Sequence, residues 1–444
     1  MKRITLILLV LLTLILASIT SPLTENSVEP EAIVISSPYP TAPPYGGIDG
    51  ETYIKPEAEE VQADNEEPEE LDEPEEIVVS SPFTITSPYD GVDWVSFGQF
   101  KASLHAHTTN SDGAHSPASV LEAHYRIGYD IVAITDHNYL TRDWVSVRNG
   151  LTQERFEEMT AGVGRDGRGM LQVTLTNEQS HHDHLNTFFT DYNSSPGNTL
   201  DNLRRSMQEA EDMGGISRLN HPGRYPPRGD IGGGNEQAVA NSNSLEKVMK
   251  YVDLFMEFPS CVGMEIINRK DVETKTDRIL WDNINEQAIP QGRFVWGFSE
   301  DDSHQNSEIG FSYNMFVLAE NTLENFREAM FSGSFYSVAR VAFREDVNNK
   351  NPDVPTPRIT NIEVDRVTAS IAISAENYER IEWITAGTET IHTGNTIYIE
   401  EHSDNIVVFI RANIIGPGGV AFTQPFGITY THSLADSGEY RLIP

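Results

Sequence analysis

The 444-residue sequence predicts an α/β fold, followed by a small all-β sandwich-like region and preceded by a disordered acidic spacer. Three observations predict it. From about residue 93 short apolar runs alternate with amphipathic helical stretches, the pattern of a β/α fold rather than of a sandwich. Beyond about residue 346 helical patterns stop, and alternating segments at 359–364, 368–373 and 406–411 are separated by turns such as Gly416-Pro417-Gly418-Gly419. Residues 23–80 carry 17 Asp or Glu against the single Lys55 and are rich in Pro and Ser, too poor in apolar surface to order themselves.

The expected organisation is an export signal over 1–21, a Pro/Glu-rich linker over 22–92, a β/α domain over 93–345 and a β-rich accessory domain over 346–444. Lys2 and Arg3 precede an apolar run at 4–17 that ends in small residues, which reads as a secretory signal or, uncleaved, as an N-terminal anchor. The protein is therefore expected to be secreted or held at the cell surface, with no other membrane contact. The formal charge of -36 would repel nucleic-acid phosphates, so no nucleic-acid polymer is expected as a partner. Cys261 stands alone, which excludes an intrachain disulfide and a thiolate zinc cluster.

Within the β/α region, Ser116-Pro117 supplies an N-cap and a first-turn proline for a helix that Gly128 stops. Leu200, Leu203, Met207, Ala210 and Met213 recur at helical spacing and read as core. His392, His402 and His432 are scattered over the C-terminal region and read as surface residues.

Ten of the 13 histidines lie between His105 and His304, most of them at the end of an apolar run. His105-Ala106-His107 places two imidazoles on one face of a strand, an arrangement that suits a divalent cation. Further apolar runs lead to Thr135-Asp136-His137, to Glu178 with His181-His182-Asp183-His184, to Asn220-His221-Pro222, and to Glu300-Asp301-Asp302-Ser303-His304. Parallel strands of a barrel deliver their ends to one rim, so these side chains are expected to converge. Glu178 is the natural bridge, because a carboxylate can join two cations and an imidazole cannot. His115 and His124 fall on the first helix and are given packing roles.

His105-x-His107 with Ser111-Asp112-Gly113, Thr135-Asp136-His137, Asn220-His221-Pro222 and Asp302-x-His304 resemble in content and order five separated motifs of the polymerase-and-histidinol-phosphatase (PHP) family over about residues 97–336, and His184-Leu185-Asn186 also resembles a motif of that family. The resemblance implies a distorted barrel of about seven strands whose rim holds two or three divalent metal ions, zinc, manganese or iron, and hydrolyses phosphoesters. It implies that His105, His107, Glu178 and Asp302 hold one metal, that Glu178, His184 and His221 hold a second, and that Asp112, His137 and His304 hold a third. Turnover would then depend on Glu178, Asp302 and His304 and proceed through a hydroxide shared between two metals, on a small phosphorylated substrate. His182 competes with His184, and Asp301 with Asp302. Arg224 and Arg340 are candidates to grip the phosphate. The alternatives are an amidohydrolase-like hydrolase of an amide or ester, or a metal- and phosphate-binding protein without turnover that docks at the cell surface through its C-terminal region.

Overall fold

The computed structural model describes residues 81–180, 183–193, 199–224, 236–271 and 274–430, all within one compact unit, Glu75–Pro444. The expected export signal, residues 22–80 of the expected linker, His181, His182 and His432 lie outside the described residues. Among the described residues no helix is long and apolar enough to cross a membrane.

The architecture is mixed α/β with a further all-β part, as the sequence predicts. Strands Gly98–Ser103, Ile131–Val132 and Leu171–Gln172 pair in parallel. A second sheet runs Asn177–Gln179, Leu185–Phe188, Ile216–Leu219, Cys261–Asn268 and Trp296–Glu300, its last two pairings parallel. The two sheets meet at the rim through isolated parallel bridges, Ala106 to Ser303 and His137 to Glu178. Those bridges join the strand-end segments that carry the histidine motifs, so closure of the barrel and assembly of the cluster are one event.

The helices follow their local signals. Ser116 caps Pro117–Arg126 by accepting from the Ser119 amide, and Gly128, with φ of 86°, lets the chain turn back. Leu200–Asp212 buries Leu203, Met207 and Ala210 against the sheet. Met213, read as part of that stripe, is instead the C-cap residue and is 49% exposed, because the helix ends one position before it.

The structure departs from the expected linker end. Phe83–Thr86, inside 22–92, is a strand paired antiparallel with Phe426–Tyr430, and Ile85 is buried in the core. At the other end, Arg358–Asp365, Ser370–Glu376 and Thr396–Tyr398 form a three-stranded sheet. The remaining C-terminal strands continue the barrel's first sheet: Phe409–Gly416 pairs with Gly419–Phe422, which pairs with Phe335–Ala339, and Ser312–Leu318 then joins that strand to Gly98–Ser103. One apolar cluster contains Val120, Ile134 and Tyr336 together with Ile371, Trp383 and Ile410. A bidentate pair between buried Arg411 and buried Asp282, at 2.7 and 2.8 Å, ties the C-terminal strands to helix Asp277–Ala288.

Candidate metal centre

All nine residues expected as ligands converge. Glu178, fully buried in the middle of the short strand Asn177–Gln179, is the hub. Its Oε1 lies 3.3 Å from His105 Nε2, 2.9 Å from His184 Nδ1 and 3.7 Å from His221 Nε2, and its Oε2 lies 2.7 Å from His137 Nδ1 and 3.5 Å from His107 Nε2. Asp302 Oδ1 stands 2.9 Å from His107 Nε2 and 3.4 Å from His105 Nε2. Asp112 closes the outer side, 3.5 Å from His137 Nε2 and 3.3 Å from His304 Nε2.

Three overlapping sets have donor atoms within 4.8 Å of one another: His107, Asp112, His137 and His304; His105, His107 and Glu178; and His137, Glu178 and His184. The grouping differs from the expected partition in that His137 stands between the outer set and Glu178, and His107 belongs to two sets. His184 faces Glu178, while its competitor His182 lies outside the described residues; Asp302 rather than Asp301 faces the histidines. Asp301 turns the other way and accepts the amides of Gly310, Phe311 and Ser312, at 2.5, 3.0 and 2.8 Å, and the Tyr129 hydroxyl. It clamps the turn that follows His304.

The donor set fits a metal. Glu178 Oε2 and Asp302 Oδ1 are buried and accept no hydrogen bond, although imidazole nitrogens stand 2.7 and 2.9 Å away. Donor atoms that crowd together without aligning as hydrogen bonds are placed as ligands of a common ion would be. Electrostatics agree. Burial opposes charge on His105, yet Asp302, Glu178 and Glu265 raise it well above the usual imidazole range. Burial also works against the Glu178 and Asp302 anions, but the imidazoles, His105 first, hold both well below the usual carboxylate range. A pocket that draws a proton onto a fully buried ring favours a cation. Burial pushes His221 down to about 3, leaving a neutral ring with a lone pair to give.

Two ligand-type residues sit in left-handed backbone: His221 at φ of 30° and Asp302 at 44°. Such conformations cost about 1–3 kcal/mol each and persist where the surroundings dictate them. Here the His221 amide donates to Glu265 Oε2 and Asn268 Nδ2 donates to Asp302 Oδ2.

Several residues that hold the cluster in place have no assigned role in the sequence. Glu265, buried in strand Cys261–Asn268, accepts from His105 Nδ1 at 2.6 Å; a carboxylate can only accept, so Nδ1 carries the proton and Nε2 faces the cluster. Arg218 Nη2 donates to Glu265 at 2.9 Å, and its Nη1 donates to Glu300, which in turn accepts from the Leu104 amide. Asp136 holds the first motif loop by accepting from the Thr108 amide and hydroxyl and from Ser111. The one sequence signal for Glu265 is an acid in the middle of an apolar run.

Of the two arginines expected to grip phosphate, Arg340 is not at the site. Its Nη1 donates to the carbonyls of Asn351 and Val354 and its Nη2 to that of Pro352, so the guanidinium is consumed in pinning a loop. Arg224 is half-buried at the end of a 3-10 turn three residues beyond His221, close enough to help lower that ring. His124 is buried between the Val120 carbonyl and Ser103 Oγ, and His115 stands outside the cluster, as expected for packing roles.

No family model matches the chain. Over 69 residues, 16% of the chain, it is 42% identical to the DNA polymerase/3'-5' exonuclease PolX of Bacillus subtilis (strain 168), and the match spans only 11% of that protein. Among solved structures, it is similar to a two-domain protein from Bacteroides vulgatus ATCC 8482 that contains a predicted PHP-like metal-dependent phosphoesterase. That match has 15% identity, covers 78% of this chain and 89% of the other, and has a TM-score of 0.40. A putative metal-dependent phosphoesterase of Bifidobacterium adolescentis ATCC 15703 matches at 13% identity over 46% of this chain and 87% of its own, with a TM-score of 0.26.

The imidazoles and carboxylates at the rim of this β/α barrel define a candidate centre for divalent metal ions. The motifs that resemble those of the PHP family all lie on this barrel and supply the cluster's side chains.

Proposed function

We propose that the protein is an exported metal-dependent phosphoesterase acting on a small phosphomonoester or phosphodiester. The observation that carries this is Glu178, a buried carboxylate that faces His105, His107, His137, His184 and His221, with Asp302 and Asp112 beside it. Mixed imidazole and carboxylate donors suit zinc, manganese or iron, and so many donors suit two or three ions. Such cations, when bound, acidify water and draw charge from phosphoryl oxygens.

The chain's own residues prepare the site for that chemistry. Glu265 fixes the tautomer and angle of His105, so that Nε2 rather than Nδ1 is offered. Asn220 Nδ2 donates to Glu178 Oε1 at 2.8 Å and orients the hub. Glu178 and Asp302 stay ionised at neutral pH, so their lone pairs are available without a proton being removed. Asp112, with its side chain 56% exposed, is the ligand-type group nearest solvent and marks the side from which substrate arrives.

The test uses the purified chain with added manganese or zinc against p-nitrophenyl phosphate, bis-p-nitrophenyl phosphate, nucleotides, and an amide and ester panel. Phosphoester turnover that disappears together with bound metal in Glu178→Gln supports the reading. Hydrolysis of amides or esters but of no phosphoester, or firm metal binding without any turnover, overturns it.

A further inference from the structure

Arg269, like Arg224, is a cation beside the nine-residue set, and it touches two of its members. It follows strand Cys261–Asn268, and its side chain, 43% exposed, reaches over the mouth of the cluster. Its Nε lies 3.3 Å from Asp302 Oδ2 and its Nη2 lies 3.1 Å from His304 Nδ1.

The contact with His304 is informative because it is not a satisfied hydrogen bond in the arrangement the cluster requires. With a cation held between Asp112 and His304, Nε2, which faces Asp112, would give its lone pair to that ion. The ring proton then sits on Nδ1, 2.9 Å from the Asp302 carbonyl oxygen, to which it donates. An Nδ1 that donates cannot accept from arginine. In the metal-loaded site the Nη2 hydrogens would therefore stand beside the donor cluster with no acceptor on His304.

The backbone holds this guanidinium in place against a local preference. Arg269 has φ of 56°, a left-handed conformation that a long side chain adopts rarely, whereas Gly or Asn would take it readily. The Arg269 amide donates to the Glu300 carbonyl at 2.9 Å, and Ser312 Oγ donates to the Arg269 carbonyl at 2.8 Å. A turn that needed only its shape has no use for an arginine at this position.

We propose that Arg269 is the substrate-gripping residue of this site, donating from its guanidinium to non-bridging oxygens of a phosphoryl group seated on the cluster. This rests on the phosphoesterase reading and names the group that makes the site select a phosphoryl anion over a neutral amide. Arginine suits the task because its planar donors match two oxygens of one phosphate at once.

The test is inorganic phosphate binding to the metal-loaded full chain by calorimetry, with metal content by elemental analysis and the KM and kcat of a phosphoester measured alongside. In Arg269→Ala, phosphate affinity should fall roughly 10- to 100-fold, the range one charge-assisted hydrogen-bonding group carries, with KM rising in parallel. Metal content should stay at the wild-type level. Arg269→Lys, which keeps the charge but loses the fork, should recover part of the affinity. If phosphate affinity stays within twofold of wild type in both variants, the proposal is overturned while the phosphoesterase reading stands. If metal is lost together with phosphate, Arg269 is a counter-ion for Asp302 and the proposal is again overturned. If the loaded wild type binds no phosphate and cleaves no phosphoester, the functional reading fails and takes this one with it.

Discussion

Glu265→Gln is the most demanding test of how the centre is built, because it alters no atom of the nine-residue cluster. Glu265 receives four donors: His105 Nδ1 at 2.6 Å and Arg218 Nη2 at 2.9 Å on Oε1, the His221 amide at 3.1 Å and Asn268 Nδ2 at 2.8 Å on Oε2. Glutamine keeps the shape but has one acceptor oxygen. Whichever way its amide turns, two of the four donors then face an NH2 group. Each charge-assisted hydrogen bond contributes about 1.5–3 kcal/mol, and Arg218 retains Glu300 as a partner, so the stability loss should be about 3 kcal/mol rather than a collapse. Metal affinity should fall roughly 10- to 100-fold, the usual cost of losing a partner that orients a ligand, or about 1.4–2.7 kcal/mol. Urea unfolding of the metal-free protein measures the first quantity and chelator competition the second. A variant that is destabilised as expected but binds metal within twofold of wild type would show that Glu265 serves only Arg218 and not His105, and the orienting argument would be wrong.

Three further outcomes are expected. Arg411→Ala strips buried Asp282 of its bidentate partner and should cost about 3–5 kcal/mol, whereas Arg411→Met with Asp282→Asn should cost far less; equal losses by denaturant titration would count against the pair. A Cβ on Gly223 would fall 1.6 Å from Asp277 Oδ1, so Gly223→Ala should lose about 1–3 kcal/mol and Asp277→Ala in the same chain should restore most of it; no change in melting temperature for the single variant would refute this. His124 is held at about 4, by burial above all, against 6.5 when exposed. The unfolded chain thus binds the extra proton between those values, so stability is complete above pH 6.5 and declines as pH falls toward 4, by about 3 kcal/mol in full. His124→Gln should flatten that slope, and parallel pH profiles for the two proteins would contradict the assignment.

Most of the ligand-type residues were legible because they end an apolar run, and a run followed by His or Asp is a local signal; Asp112 and His184 lack it. Convergence of His105, His137, Glu178, His221 and Asp302 needed only the rule that strand ends share a rim. What stayed hidden depends on partners remote in sequence. Glu265 reads as an oddity within Cys261–Asn268 until His105, 160 positions earlier, donates to it. Arg340 and Arg269 look equally available in the sequence, and only the loop carbonyls at 351–354 show that the first is committed elsewhere. Phe83–Thr86 is a four-residue alternation among serines and prolines, too short to name as a strand without Phe426–Tyr430 opposite it. Likewise, the switch from helical to alternating patterns near residue 346 is real, but it marks a change of element type and not an end to backbone pairing.

Ser337, Val338 and Ala339 stand opposite Phe422, Ala421 and Val420 in an antiparallel ladder. Cutting the gene where the helices stop would therefore expose a bare row of amides along Phe335–Ala339, an invitation to pair with any neighbouring chain. A shortened or tail-swapped chain therefore has to carry the Gly419–Phe422 strand along with the barrel or supply a substitute for it.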